Sequence, residues 1–198
     1  MPRRPPRITN TTDAEREADN TIVVYTSDQG FFLGEHGWFD KRWIYEESMR
    51  TPLLVQYPGH IEAGTKVDAL VQNIDYAPTF LQYAGVPVPA DIQGRSLKPL
   101  AEGKPDKNWR KSLYYHYYEF PGFHAVRAHY GVRSDRYKLA RFYGDMDYWE
   151  FFDLKSDPRE MNNRIDDPAY QDEVARMTAE LTRLRGQYRD DTPRAKES

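Results

Sequence analysis

Thr21-Ile22-Val23-Val24-Tyr25-Thr26-Ser27-Asp28-Gln29-Gly30 is the stretch on which the reading of this chain turns. Its first half is β-branched and apolar, the composition of a buried strand. The strand stops at an acidic residue, an amide and a glycine, which puts two oxygen donors at its carboxyl edge, where open α/β sheets bind ligands. Asp28 and Gln29 are therefore candidate metal ligands, because carboxylate and amide oxygens suit hard divalent cations better than thiophilic ones. An Asp in such a loop also reads as an ordinary turn or N-cap residue, and both readings stand at this point.

Lys41 lies thirteen positions after Asp28, near enough for a loop punctuated by Gly30, Gly34 and Gly37 to fold back and aim its ammonium at an anion on the same edge. Beside Arg42 it reads equally as a solvated surface residue. His36, between Glu35 and Gly37, is a candidate donor to an oxyanion or a leaving-group oxygen, and alternatively a structural residue. A helical turn is expected over 45–49, with Arg50 free to pair with a carboxylate. A second apolar strand is expected over 53–57, stopped by Pro58-Gly59.

Residues 75–84 predict a short helix ended by Gly85, and the Pro, Gly and charge of 87–107 predict a boundary. Four aromatic and β-branched runs follow, at 113–118, 125–132, 137–142 and 149–154, with the spacing of an antiparallel meander. After Asp167-Pro168, the residues Tyr170, Val174, Met177, Leu181, Leu184 and Tyr188 recur at helical spacing, so an amphipathic helix is expected to pack on that sheet. The expected organisation is α/β. It has a disordered tail over 1–19, a first domain over 20–107, a small sheet-plus-helix subdomain over 108–188 and a frayed tail over 189–198.

A hydrophobic fraction of 39% beside 30% charged residues is polar for a self-contained α/β chain of 198 residues, whose buried strands should add long apolar runs. Mean hydropathy is −0.88. The net charge of −3 and the scatter of the basic residues predict neither a nucleic-acid nor a membrane partner. The absence of cysteine excludes disulfides, thiolate metal sites and a cysteine nucleophile within these residues. No apolar segment of the kind that directs export follows Met1-Pro2-Arg3-Arg4, and the compartment is left open.

Residues 20–163 resemble the C-terminal half of a type I, formylglycine-dependent sulfatase of the alkaline phosphatase superfamily. The resemblance is carried by Ser27-Asp28-Gln29-Gly30 at the family's calcium position, by Leu33-Gly34-Glu35-His36-Gly37, and by Lys41 at its sulfate-binding lysine. Asp75-Tyr76-Ala77-Pro78-Thr79, Gly94-Arg95-Ser96-Leu97, the run from Gly131 to Leu139 and Asp153-Leu154-Lys155-Ser156-Asp157-Pro158 extend it. It implies the C-terminal part of an alkaline-phosphatase-like fold, in which strands of a large mixed sheet precede a small four-stranded antiparallel sheet packed on a C-terminal helix. It also implies Ca2+ and a formylglycine made from a Cys/Ser-x-Pro-x-Arg motif. That motif does not occur in these residues, and two metal donors are too few for a cation that takes six to eight oxygens. The chain is accordingly expected to be inactive alone, with a separately encoded N-terminal half as one candidate partner.

The aromatic and imidazole-rich segment 114–124 and His129 suggest the substrate, because aromatic rings stack on sugars and imidazoles donate to hydroxyl and sulfate oxygens. His124 and His129 are the candidate substrate-binding residues. The tyrosines also read as one half-buried sheet face. The pattern resembles sulfatases of 6-sulfated N-acetylglucosamine in glycosaminoglycans, which implies a sulfated carbohydrate or an aryl sulfate as substrate. Two alternatives remain: a phosphodiesterase or phosphonate hydrolase of the same superfamily, and a non-catalytic carbohydrate-binding remnant.

Overall fold

A computed structural model describes residues 17–104 and 106–191. Residues 1–16 of the tail expected over 1–19 and residues 192–198 of the one expected over 189–198 lie outside this range, while Ala18–Asn20 form a short helical turn. The chain forms two units: one runs to Asp28 and resumes over Thr51–Trp109, and the other comprises Gln29–Arg50 and the chain from Arg110 onward. In sequence the first unit ends at Trp109 and the second resumes at Arg110. The assignment of 29–50 differs, because those residues cluster with the second unit.

In the first unit, β1 (Val23–Thr26) and β2 (Leu53–Gln56) pair antiparallel, with Tyr25 opposite Leu54 and Thr26 opposite Leu53. Thr26 Oγ1 lies 2.8 Å from Tyr76 Oη, at the start of a helix over Tyr76–Tyr83. The fully buried Asp75 holds this unit together. Its carboxylate accepts the amides of Gln72 and Arg95, each at 2.8 Å. Thr79 Oγ1 donates to the Asp75 carbonyl and accepts the Leu97 amide at 2.8 Å. Gly94 must be glycine, since a Cβ there would stand 1.9 Å from the Ile74 carbonyl oxygen. The Asp75 and Gly94 motifs thus pin one loop to one helix start. A further helical turn over Lys98–Ala101, not expected from the sequence, begins next to Pro99.

The second unit is built on a four-stranded antiparallel meander: β3 (Ser112–Tyr117), β4 (His129–Ser134), β5 (Tyr137–Phe142) and β6 (Tyr148–Asp153). Strand β4 starts at His129, later than expected, and Ala125, where it was expected to begin, sits at φ +50°, outside the extended region. Side chains alternate between two covered faces. Tyr130, Val132, Tyr137, Leu139 and Phe151 meet Met177, Leu181 and Leu184 of a helix over Gln171–Gln187. Ala140, Phe142 and Phe152 meet Phe32, Trp43, Ile44 and Tyr45. Burial on both faces explains why β5 is buried at five of its six positions rather than at alternate ones. It also places 29–50 in this unit, since its aromatic residues form the second cover of the sheet.

Candidate functional site

The candidate site is carried by 29–50, a loop held in shape by its own backbone. Gly30 N donates to the Ser48 carbonyl at 2.7 Å, and a Cβ on Gly30 would lie 1.9 Å from the Glu47 carbonyl oxygen. Only glycine permits that approach. Phe32 N donates to Asp40 O at 2.8 Å and Gly34 N to Trp38 O at 2.9 Å, closing the intervening residues into a narrow loop. Gly34, His36 and Gly37 all have positive φ, which this reversal requires.

Gln29 and Lys41 are brought side by side. Gln29 Nε2 donates to the Lys41 carbonyl and to Ser48 Oγ at 3.1 Å, while Ser48 Oγ donates to the same carbonyl at 2.6 Å. The amide nitrogen of Gln29 is thereby committed inward, which fixes which end of the amide is oxygen and which nitrogen. Asp28 ends the first unit, where Ser27 Oγ donates to its carboxylate at 3.3 Å. In donor chemistry Asp28 and Gln29 suit Ca2+, and in number they fall short of its six to eight ligands. Among the described residues no cluster of three or more His, Cys, Asp or Glu could hold a metal ion.

His36 is packed rather than presented. Its ring stacks on Tyr45 at 4.4 Å and stands edge-on to Phe32, and Nε2 is enclosed 3.5 Å from Glu47 Oε2. The donor role expected of it is not available to that nitrogen as placed. His129 departs further from expectation. It is 0% exposed, in a cage of Trp43, Tyr115, Tyr117 and Phe142, and its Nδ1 pairs with the Arg127 carbonyl at 2.7 Å. Burial pushes its imidazole down to about 4, so it is neutral at pH 7. An enclosed ring cannot touch a sugar, and the substrate-facing role expected of His129 is corrected to a structural one.

Of the two candidate substrate-binding histidines, His124 is the one that is partly open, and it has a partner the sequence did not reveal. Its Nε2 accepts from Arg42 Nη2 at 2.9 Å. Arginine only donates, so the proton of the neutral imidazole is on Nδ1, as a donor. Arg42 is itself fixed. Asp40 Oδ1 accepts its Nη1 and its amide, both at 2.9 Å, and Tyr115 Oη donates to its carbonyl at 2.7 Å. Partial burial pushes the Asp40 carboxyl up, but the Lys41 and Arg42 amides and the Arg42 guanidinium outweigh it and hold the group below the usual range. Asp40 and Arg42, which flank Lys41 in sequence, form with His124 a preorganised cluster of charged and hydrogen-bonding groups. The arginine beside the lysine was visible; its pairing with a residue 82 positions away was not.

Beneath the loop lies a buried ionic network. Lys138 Nζ, fully enclosed, donates to Ile44 O at 2.9 Å and pairs with Glu46 at 3.0 Å and Glu160 at 2.7 Å. Glu46 also accepts Arg133, and Glu160 accepts the Glu46 amide at 2.7 Å. The network ties the segment after Ile44 to β5.

Residues 34–187 match the family model described as N-sulphoglucosamine sulphohydrolase, C-terminal. The chain belongs to this sulfatase C-terminal family. It is 53% identical over 194 residues, 97% of its length, to the N-acetylglucosamine-6-O-sulfatase of Bacteroides thetaiotaomicron, and covers 35% of that protein. A solved structure described as a complex with its substrate D-glucosamine-2-N,6-O-disulfate matches with a TM-score of 0.91 at 52% identity, over 96% of this chain and 39% of that one. A phosphonate monoester hydrolase from Silicibacter pomeroyi matches with a TM-score of 0.80 at 27% identity, over 91% of this chain and 38% of that one. The chain spans about a third of the length of the curated relatives it matches. The α/β sulfatase C-terminal architecture, with its four-stranded antiparallel sheet and C-terminal helix, is common to this sulfatase C-terminal chain and its solved relatives.

Proposed function

We propose that this chain is the C-terminal portion of a sulfuric-ester hydrolase that acts on 6-sulfated glucosamine units of glycosaminoglycans. In this reading Lys41 binds the sulfate, and Arg42 with the Nδ1–H of His124 holds the sugar. His36 keeps the Lys41 loop in shape. Asp28 and Gln29 supply two oxygen ligands of a Ca2+, whose other ligands lie outside these residues; when bound, the ion would stabilise negative charge on the sulfate oxygens. The observation that supports the reading best is the Asp40–Arg42–His124 cluster, in a chain sharing more than half its residues with an N-acetylglucosamine-6-O-sulfatase. Guanidinium and imidazole donors held in place before binding are what recognition of sulfate and hydroxyl oxygens requires.

No Cys/Ser-x-Pro-x-Arg motif occurs among the 198 residues, so no covalent step is assigned to them, and the chain by itself is inactive in this reading. The test is calorimetric titration of the chain with D-glucosamine-2-N,6-O-disulfate, with and without Ca2+, alongside an activity assay. Binding without turnover is expected, and His124→Ala should weaken it at least tenfold. Absence of heat in both titrations, or turnover by the purified chain, overturns the proposal. A second reading, hydrolysis of phosphonate monoesters or phosphodiesters, draws on the likeness to the phosphonate monoester hydrolase. Preferential binding of a phenylphosphonate ester over the sulfated sugar would favour it. Sugar binding that is indifferent to Ca2+ and to Lys41→Ala would favour a non-catalytic carbohydrate-binding role instead.

A further inference from the structure

Phe123 is 93% exposed, the most open of the large apolar side chains among the described residues. A single exposed apolar residue is ordinary on any surface; here its position is informative. The ring stands at 90° to His124 with centroids 5.1 Å apart, and His124 is anchored by Arg42. The loop that carries it is braced from below. A Cβ on Gly122 would meet the Glu119 side chain at 2.8 Å, so the turn closes tightly, and Glu119 accepts Tyr117 Oη at 2.9 Å. Arg127 lies over the Phe120 ring at 4.9 Å and pairs with Asp145. An apolar ring is therefore held at the rim of a fixed polar cluster.

A sulfated polysaccharide offers two kinds of surface: sulfate and hydroxyl oxygens, and the C–H faces of its pyranose rings. Arg42 and His124 match the first, and an open aromatic face matches the second. One glucosamine unit on the polar cluster uses the hydrogen-bonding groups and leaves the neighbouring unit to meet the ring beside them. We propose that Phe123 is the stacking platform for a second sugar ring, so that the site takes a glycan of at least two residues in preference to a sulfated monosaccharide. The inference rests on the sugar-binding reading of Arg42 and His124, and adds to it a specificity-determining residue and a minimum ligand length.

The experiment compares, on the full chain, the affinities of D-glucosamine-2-N,6-O-disulfate and of a heparin-derived disaccharide ending in the same unit. The expected preference for the disaccharide is about tenfold, the scale of one aromatic contact. Phe123→Ala should reduce that preference to within twofold, and Phe123→Trp should retain it. Circular dichroism unchanged from the parent would show that both variants fold, as their exposure leads one to expect. Equal affinity of the parent for both sugars, or a preference that survives Phe123→Ala, overturns this inference and leaves the sugar-binding reading standing. Failure of the parent to bind the monosaccharide overturns that reading and the inference with it.

Discussion

Lys138 shows how one side chain can decide whether a segment is held. A lysine with no exposure is tolerable only because a carbonyl and two carboxylates receive its three protons. Lys138→Ala removes the cation and leaves Glu46 and Glu160 buried against each other. We expect it to cost about 3–5 kcal/mol in urea denaturation, whereas Lys138→Met with both glutamates changed to Gln should recover much of the loss. The same network has a pH signature. Burial pushes the Glu46 carboxyl up, but Lys138 and Arg133 outweigh it and bring the group down to about 2, from 4.5. Between those values the unfolded chain binds the proton and the folded one does not, so the stabilisation contributed by Glu46 is complete above pH 4.5 and fades as pH falls toward 2, whereas burial pushes the Glu160 carboxyl up and gives that group the opposite sign.

His129 titrates in a neighbouring window for a different reason. Its folded value of about 4 lies below the ordinary 6.5 because burial disfavours the imidazolium. As pH falls from 6.5 to 4 the unfolded chain takes up the proton first, so stability declines through that interval. His129→Gln should flatten the stability-against-pH curve between pH 6.5 and 4 while leaving the limb below 4.5 assigned to Glu46. An unchanged curve would show that the enclosed imidazole is not what titrates there. Whether a histidine in an aromatic run is buried or open depends on which face of the sheet it occupies and on what covers that face. Neither was legible from the run itself, and for that reason His124 and His129 looked alike in the sequence.

At the scale of elements, local patterns served well wherever a neighbour in sequence is also a neighbour in space. Strands β3, β5 and β6 and the helix over Gln171–Gln187 fall close to where their aromatic runs and helical spacing put them. The segment 29–50 was misplaced because its apolar residues announce burial without naming the partner. Phe32, Trp43, Ile44 and Tyr45 reach across about a hundred residues to β5 and β6. Two glycines test the account with opposite signs. Gly131 on β4 leaves room for Ile44, whose Cδ1 would lie 2.5 Å from an added Cβ, with the Leu139 carbonyl oxygen equally near. Gly131→Ala should therefore destabilise by about 1–3 kcal/mol through overpacking. Gly186, inside the long helix, has nothing within 4 Å of its Cβ position. Gly186→Ala should stabilise by about 0.4–1 kcal/mol by restricting the unfolded chain. Thermal denaturation of the two variants gives both signs in one experiment, and a stabilising Gly131→Ala would contradict the packing of 29–50 on the sheet.

For the molecule as a whole, a polar average conceals exposed apolar surface. Mean hydropathy is −0.88, yet β1 and β2 expose Tyr25 and Leu54 to 64% and 65%, and these two are cross-strand partners on one face of the ribbon. Val55, in the same strand, is also exposed. A two-stranded ribbon is marginal by itself and leaves unpaired edges that can template pairing with another chain. Self-association should therefore depend on concentration and be governed by this ribbon rather than by the charged remainder. Leu54→Lys places a charge in the middle of the exposed face without disturbing a buried contact. Sedimentation velocity across a concentration series should show the parent associating and Leu54→Lys shifted toward monomer, with the melting temperature unchanged. If the variant associates as strongly as the parent, the adhesive surface is elsewhere, and the exposed aromatic loop residues Phe31, Trp38 and Phe39 of the second unit become the next positions to charge.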